Sequence, residues 1–99
     1  MSAAIAGHFG VPIVMVSGDD AAVAEVRGTV GDVEGAVVKE ALSFHSARTL
    51  TPAAGRQRIA NAVTRALGRI DEFEPLVLDR FDLELSFKNY TAAELLAYL

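Results

Sequence analysis

The 99-residue sequence predicts an α/β fold: a partial sheet of mostly buried strands with flanking helices, plus one alternating, edge-like strand. Three observations lead there. Val11-Pro12-Ile13-Val14-Met15-Val16-Ser17 and Ala36-Val37-Val38 are continuous apolar runs adjoining glycines. Continuous rather than alternating apolarity marks strands covered on both faces, as in parallel sheets. Helix-compatible sequence separates the two runs, giving the strand–helix–strand order of a βαβ unit. Finally, Phe81, Leu83, Leu85 and Phe87 alternate with Asp82, Glu84, Ser86 and Lys88. That pattern belongs to a strand with one face exposed.

Each element follows from its own residues. Ser2 to His8 is Ala-rich and suits a helix, with Gly10 as its stop and Pro12 unable to continue it. Gly18-Asp19-Asp20 is a turn with a helix N-cap, and Ala21 to Arg27 reads as a short helix closed by Gly28 and Gly31. Val33 to Lys39 holds the second strand. Glu40 to Leu50 is polar and mixed, and reads as an ordered loop with a helical turn. Thr51-Pro52 opens a helix, with Thr as N-cap and Pro at the first helical position, where its missing N–H costs nothing. This helix runs to about Leu67, with Ile59, Val63, Leu67 and Ile70 as its apolar stripe and Arg56, Arg58 and Arg65 on a solvated face. Asp71 to Pro75 is an acidic linker, and Leu76-Val77-Leu78 an apolar patch of unassigned state. Thr91-Ala92-Ala93-Glu94 forms a capping box for a last helix with Leu95, Leu96 and Leu99 apolar.

Composition narrows the function. Hydrophobic residues make up 52% of the chain and 8 residues are Gly. Together these approach about 60%, against roughly 45–50% for an average soluble domain counted in the same way. Mean hydropathy is +0.31. Disorder is excluded, because it requires low hydrophobicity and high net charge. The excess suits either a compact unit with buried strands or a core cut from a larger protein. Nine Lys+Arg against 13 Asp+Glu give a net charge of −4, without the basic surplus a nucleic-acid binder needs. The absence of Cys removes disulfides, thiolate metal sites and cysteine nucleophiles, and fits a reducing compartment. No secretory leader is recognisable, and no apolar run approaches the roughly 20 residues of a membrane span. The expectation is a soluble, cytoplasmic chain.

Several residues carry candidate chemistry. Asp19 and Asp20 follow a buried strand, where open α/β sheets place ligands. They suit a divalent cation, or equally an N-cap with a favourable helix dipole. Lys39 and Glu40 follow the second strand and face either a crevice or solvent. Ser43, His45, Ser46 and Arg48 include the parts of a Ser–His pair, but the nucleophile elbow G-x-S-x-G is absent. Arg48 suits a carboxylate or another anion better. His8 sits at a helix end, where a cation is favourable. No glycine spacing matches a phosphate-cradling loop. The candidate pocket or interface residues are therefore Asp19, Lys39, Glu40, His45 and Arg48, with no catalytic or metal-ligating residue identified.

Three strings together resemble the D-aminopeptidase family, peptidase family M55. They run from Ala3 to Asp20 through Gly7-His8-Phe9-Gly10-Val11-Pro12 and Ser17-Gly18-Asp19-Asp20, from Val37 to Pro52, and from Leu83 to Lys88. The first is the most specific and the third the least, and the resemblance covers essentially the whole chain. It implies that residues 1–99 are a single partial domain similar to the carboxyl-terminal part of such an enzyme. It also implies zinc-dependent hydrolysis of peptides with an N-terminal D-residue by a cytoplasmic, ring-like homo-oligomer. The family's metal site uses an Asp-x-Glu, two histidines and a Glu just before the Ala-rich helix, with a further His in a His-Thr context. None of these positions falls in this sequence, and His8 and His45 match none of them. The expectation is a fragment inactive by itself, with no zinc bound to it alone. The alternative is a binding or oligomerisation module built on the same fold. A weaker third reading is a small-ligand binder using Asp19, Lys39 and Arg48.

Overall fold

The computed structural model describes residues 1–97. Helix α1 spans Ser2–His8, strand β1 Met15–Asp19, helix α2 Asp20–Val30, strand β2 Glu34–Ser43, strand β3 Ser46–Thr49 and helix α3 Pro52–Gly68. A 3₁₀ turn follows at Ile70–Glu72, and helix α4 spans Tyr90–Ala97. Leu99, expected on the apolar side of the last helix, lies outside the described residues.

The sheet has three strands in the order β1-β2-β3. β1 and β2 run parallel, from Met15↔Glu34 to Asp19↔Lys39, with a register shift after Gly18. β2 then pairs antiparallel with β3, from Lys39↔Thr49 to Ser43↔Ser46. β2 is therefore shared by two partners along different halves of its length. The two faces of the first half alternate. Glu34 and Val38 point toward α3, with Glu34 bonded to Arg65 and Val38 packed near Gly55. Gly35 lies on the opposite face, where an added Cβ would come 2.7 Å from Val23 Cγ1 of α2. The result is a three-layer α/β/α unit in which, among the described residues, the buried apolar ones are Val23, Val33, Ala36, Ala62 and Ala66.

The helix ends obey their caps. Asp19 Oδ1 accepts from Ala22 N at 2.7 Å and opens α2. That helix extends to Val30 and stops at Gly31, whose φ of +106° is easy only for a residue without Cβ. Thr51 Oγ1 accepts from Ala54 N at 3.3 Å, and Pro52 is the first residue of α3. α1 closes with Val11 N donating to Ala6 O (2.9 Å) and Gly10 N to Gly7 O (3.0 Å). With Gly10 at φ +71°, this is the Schellman arrangement that satisfies the last carbonyls of a helix.

Five expectations need correction. The first strand begins at Met15 rather than Val11, because Pro12 lacks an N–H and the ladder starts where Glu34 N donates to Val14 O. Glu40 to Leu50 is not a loop with a helical turn. Its residues are the end of β2, a Phe44-His45 turn and β3, tied by a 2.6 Å Ser43–Ser46 hydroxyl bond. Every residue from Glu40 to Thr49 is exposed, so neither face imposes an alternating pattern. Phe81 to Lys88 forms no strand: residues 73–89 are irregular, and Phe81 is 75% exposed. A strand needs a ladder partner, and none of the three described strands pairs with this segment. α4 is capped by Asn89, whose Oδ1 accepts from Thr91 N at 2.9 Å, so Thr91 is a helical residue and not the cap.

The fifth correction concerns α3. Its buried face is Gly55, Ala62 and Ala66, with the expected Ile59 partly covered beside them, whereas Val63, Leu67 and Ile70 are exposed. The helix is turned by about one residue from the orientation its apolar stripe suggests. Small residues allow close approach to the sheet, and two arginines hold the rotation, as described below.

Gly7 is buried against the segment after the 3₁₀ turn, and a Cβ there would overlap the Leu76 carbonyl oxygen. Gly28, inside α2, has open space around its Cα. Gly7→Ala is expected to destabilise the fold by about 1–3 kcal/mol, the usual cost of forcing atoms into a filled site. Gly28→Ala should stabilise it by about 0.5–1 kcal/mol, through helix propensity and a less flexible unfolded chain. Equilibrium urea unfolding of the two variants checks both signs.

Candidate functional site

The carboxyl ends of β1 and β2 bring four of the five predicted residues together. Asp19 closes β1, and Lys39, its register partner on β2, carries a Nζ 3.9 Å from Asp19 Oδ2. Glu40 follows Lys39 and pairs across the hairpin with Arg48, whose Nη1 lies 3.3 Å from Glu40 Oε2. Both ion pairs are open to solvent, and such pairs contribute little, about 0–1 kcal/mol each. Lys39, Glu40 and Arg48 line a shallow depression of about 200 Å³ shared with Thr49, Leu50 and Arg58. A neighbouring depression of about 350 Å³ joins Lys39 to the start of α3 at Thr51, Pro52 and Gly55.

His45 does not join this group. It sits at the hairpin turn, with its ring edge-on to Phe44 at 4.7 Å between centroids. Asp20 diverges from Asp19: its Oδ1 accepts from Ala41 N at 3.2 Å, while Asp19 caps α2. The two carboxylates therefore have separate partners and do not converge on a common point. Arg48 is already paired, which weakens the small-ligand reading of Asp19, Lys39 and Arg48.

The arrangement offers charged hydrogen-bonding groups along one edge of the sheet. It does not offer a metal site. Among the described residues, no group of three or more His, Asp or Glu could hold an ion. A catalytic zinc usually takes three protein ligands. The residues present do not fit that metal, and no step through it can be built on them.

A second cluster, at the opposite end of β2, escaped sequence reasoning. Glu34 accepts from Arg65 Nε at 2.9 Å through Oε2 and from Arg69 Nε at 3.1 Å through Oε1. Arg69 also donates to Asp32 Oδ2 (3.2 Å), to the Asp32 carbonyl (2.9 Å) and to Glu72 Oε2 (3.3 Å). Its guanidinium lies 4.7 Å from the Phe73 ring centroid. Arg65 lies on the solvated face, as expected, and there also forms part of a clasp between α3 and the start of β2. Arg58 likewise donates to Val37 O at 3.1 Å. The available signal was Glu34 leading an apolar strand, with Arg65 and Arg69 one helical turn apart.

The hydrogen bond from Arg65 holds the Glu34 carboxyl below its ordinary value, against partial burial, and the charges of Arg65 and Arg69 reinforce it. Burial opposes the charge of Arg69, but Glu72, Asp32 and Glu34 outweigh it and raise its pKa.

Layered α/β units of this kind host many chemistries, so fold alone names none. Comparison with known proteins is more specific. The family profile described as D-aminopeptidase, peptidase family M55, matches residues 1–99. A D-aminopeptidase of Bacillus subtilis (strain 168) is 35% identical over 95 residues, covering 95% of this chain and 35% of that protein. The solved structure of the Zn-dependent D-aminopeptidase DppA from Bacillus subtilis, described as a self-compartmentalizing protease, superposes with a TM-score of 0.73. The identity there is 33%, over 76% of this chain and 27% of that one. The chain belongs to the M55 D-aminopeptidase family. It spans about a third of the length of the curated relative it matches.

The lowered Glu34 pKa has a pH consequence. A carboxylate whose folded pKa lies below its unfolded value adds stability above the unfolded value, and that stability is lost as pH falls through the folded one. Thermal unfolding followed from neutral to acidic pH should therefore show a falling midpoint across and below the ordinary Glu range. Glu34→Gln should lower the neutral-pH midpoint and flatten that part of the profile. A variant profile running parallel to the wild type throughout would show that Glu34 contributes nothing to it.

Proposed function

We propose that this chain supplies scaffold and pocket wall to a zinc-dependent D-aminopeptidase-type hydrolase acting on peptides with an N-terminal D-residue. The observation that carries this reading is the extent of the match: nearly all of this chain aligns to about a third of a D-aminopeptidase. The metal ligands belong to other parts of the family's fold, and the chain by itself is inactive. The charged edge formed by Asp19, Lys39, Glu40 and Arg48 is the pocket wall, since α/β sheets collect their ligands beyond the carboxyl ends of the strands. The complete protein is a homo-oligomer working in the cytoplasm, a reading supported by the self-compartmentalizing description of the structural relative. Peptide, rather than nucleic acid or membrane, is its partner, in keeping with the net charge of −4 and with the absence, among the described residues, of any helix long and apolar enough to cross a bilayer.

A second reading, a non-catalytic binding or oligomerisation module, draws on the exposed apolar side chains. Phe44 is 89% exposed at the hairpin turn, and Leu67 59% exposed on α3. Exposed apolar surface of this kind marks contact with something else.

The purified 99-residue chain, incubated with zinc and D-aminoacyl peptides, should release no D-residue above the uncatalysed rate. Equilibrium dialysis should leave it without stoichiometric zinc. Reproducible turnover, or one tightly held zinc per chain, contradicts the scaffold reading. A soluble, monodisperse oligomer of the chain alone favours the module.

A further inference from the structure

We infer that Asp20 is a positioning residue that continues the β1 ladder with its side chain and thereby fixes where the β2–β3 hairpin stands. The β1–β2 pairing ends at Asp19↔Lys39, after the register shift at Gly18. β2 runs four residues further, to Ser43. Over that stretch the β1 side of β2 has no backbone beside it, because β1 has already turned into α2 at Asp20. The Ala41 N–H is directed to that side, and Asp20 Oδ1 receives it at 3.2 Å. The carboxylate occupies the place of the next carbonyl in the ladder. The Ala41 amide is exposed, so the carboxylate holds it in competition with water, and a charged acceptor makes a stronger bond than a neutral one.

The division of labour between the adjacent carboxylates supports this assignment. Asp19 is committed to Ala22 N at the start of α2 and faces Lys39. Asp20 is left to reach across to β2. On its other side Ala41 lies opposite Ala47 of β3, and the next step of the hairpin is irregular, with Leu42 as the additional residue. The hairpin is thus held from the β1 side at Ala41 and closed at its far end by the Ser43–Ser46 hydroxyl bond. Glu40 and Arg48 sit on this held stretch. The consequence for a pocket rests on the proposed function, whereas the hydrogen bond and its effect on the hairpin do not.

Amide hydrogen exchange on the 99-residue chain, followed by NMR, tests the assignment. Asp20→Asn keeps an oxygen acceptor and should leave Ala41 exchange within about threefold of wild type. Asp20→Ala removes the acceptor and should accelerate Ala41 by about tenfold or more, the factor expected when a hydrogen bond to a charged group is lost. Amides of the β1–β2 ladder serve as the internal reference for global stability. Unchanged Ala41 protection in Asp20→Ala overturns the inference. So does equal loss in both variants, or unfolding of both, because the role would then belong to the negative charge at the start of α2. Rescue by Asn alone, whether in exchange or in folding, upholds it. None of these readouts depends on peptide hydrolysis, so failure of the proposed function leaves the result interpretable.

Discussion

A clasp ties the start of β2 to α3: Glu34 meets Arg65 of α3 and Arg69 just past the helix end. Glu34 opens β2 and receives Arg65 on one oxygen and Arg69 on the other. One bond comes from the last turn of the helix and one from the residue that caps it, and both favour the observed rotation of the helix on the sheet. That rotation puts Gly55, Ala62 and Ala66 against the strands. Side chains this small bring the helix close, and Ala36, Ala62 and Ala66 are all but inaccessible to solvent. The same rotation turns Val63 and Leu67 outward. Arg69 carries the clasp onward to Asp32 and Glu72, and so ties the start of β2 to the 3₁₀ turn after α3.

The two ends of β2 are therefore organised differently. At its beginning, Glu34 and Arg69 are partly covered and join exposed Arg65, Asp32 and Glu72 in one bonded network. At its carboxyl end the charged groups form two separate pairs, Asp19 with Lys39 and Glu40 with Arg48, with only Asp19 partly covered. An ion pair in high dielectric leaves its members free to exchange partners. The first arrangement suits a scaffold, and the second suits a surface that meets something polar. The M55 relationship fits this division: the family's fold is present in the matched part, while a donor set for zinc is not found among the described residues.

The sequence made much of this legible, unevenly. The parallel βαβ unit was readable because its signals are local: the β-branched run ending at Ser17, the Asp19 cap, and the Thr51-Pro52 start of α3 each act over a few residues. The hairpin was not, because Leu42 and Phe44 are exposed on a two-sided polar ribbon and leave no periodic trace. Phe81 to Lys88 failed in the opposite way. Its alternation is strong, but pairing depends on a neighbour, and pattern alone does not supply one. In α3 the largest residues suggested the buried face, yet the choice fell to Ala62, Ala66 and a long-range contact with Glu34, 31 residues away from Arg65. At the candidate site, Asp19 was readable from its place at the end of a strand, whereas Lys39 and Glu40, expected after the second strand, lie within β2, and Arg48 lies within β3. The separate task of Asp20 was not readable, since it depends on Ala41, 21 residues on.

The rotation of α3 is the central structural claim, and the lack of native cysteine permits a direct measurement. Single cysteines placed at Ala66 and at Leu67 can be compared by their rate of reaction with a soluble thiol reagent under native conditions. The clasp predicts rapid modification at position 67 and protection at position 66, with rates separated by about tenfold or more, because a buried thiol reacts only when the structure opens. Protection at 67 together with rapid reaction at 66 would mean that the apolar stripe, and not the small-residue face, packs on the sheet, and would contradict the account.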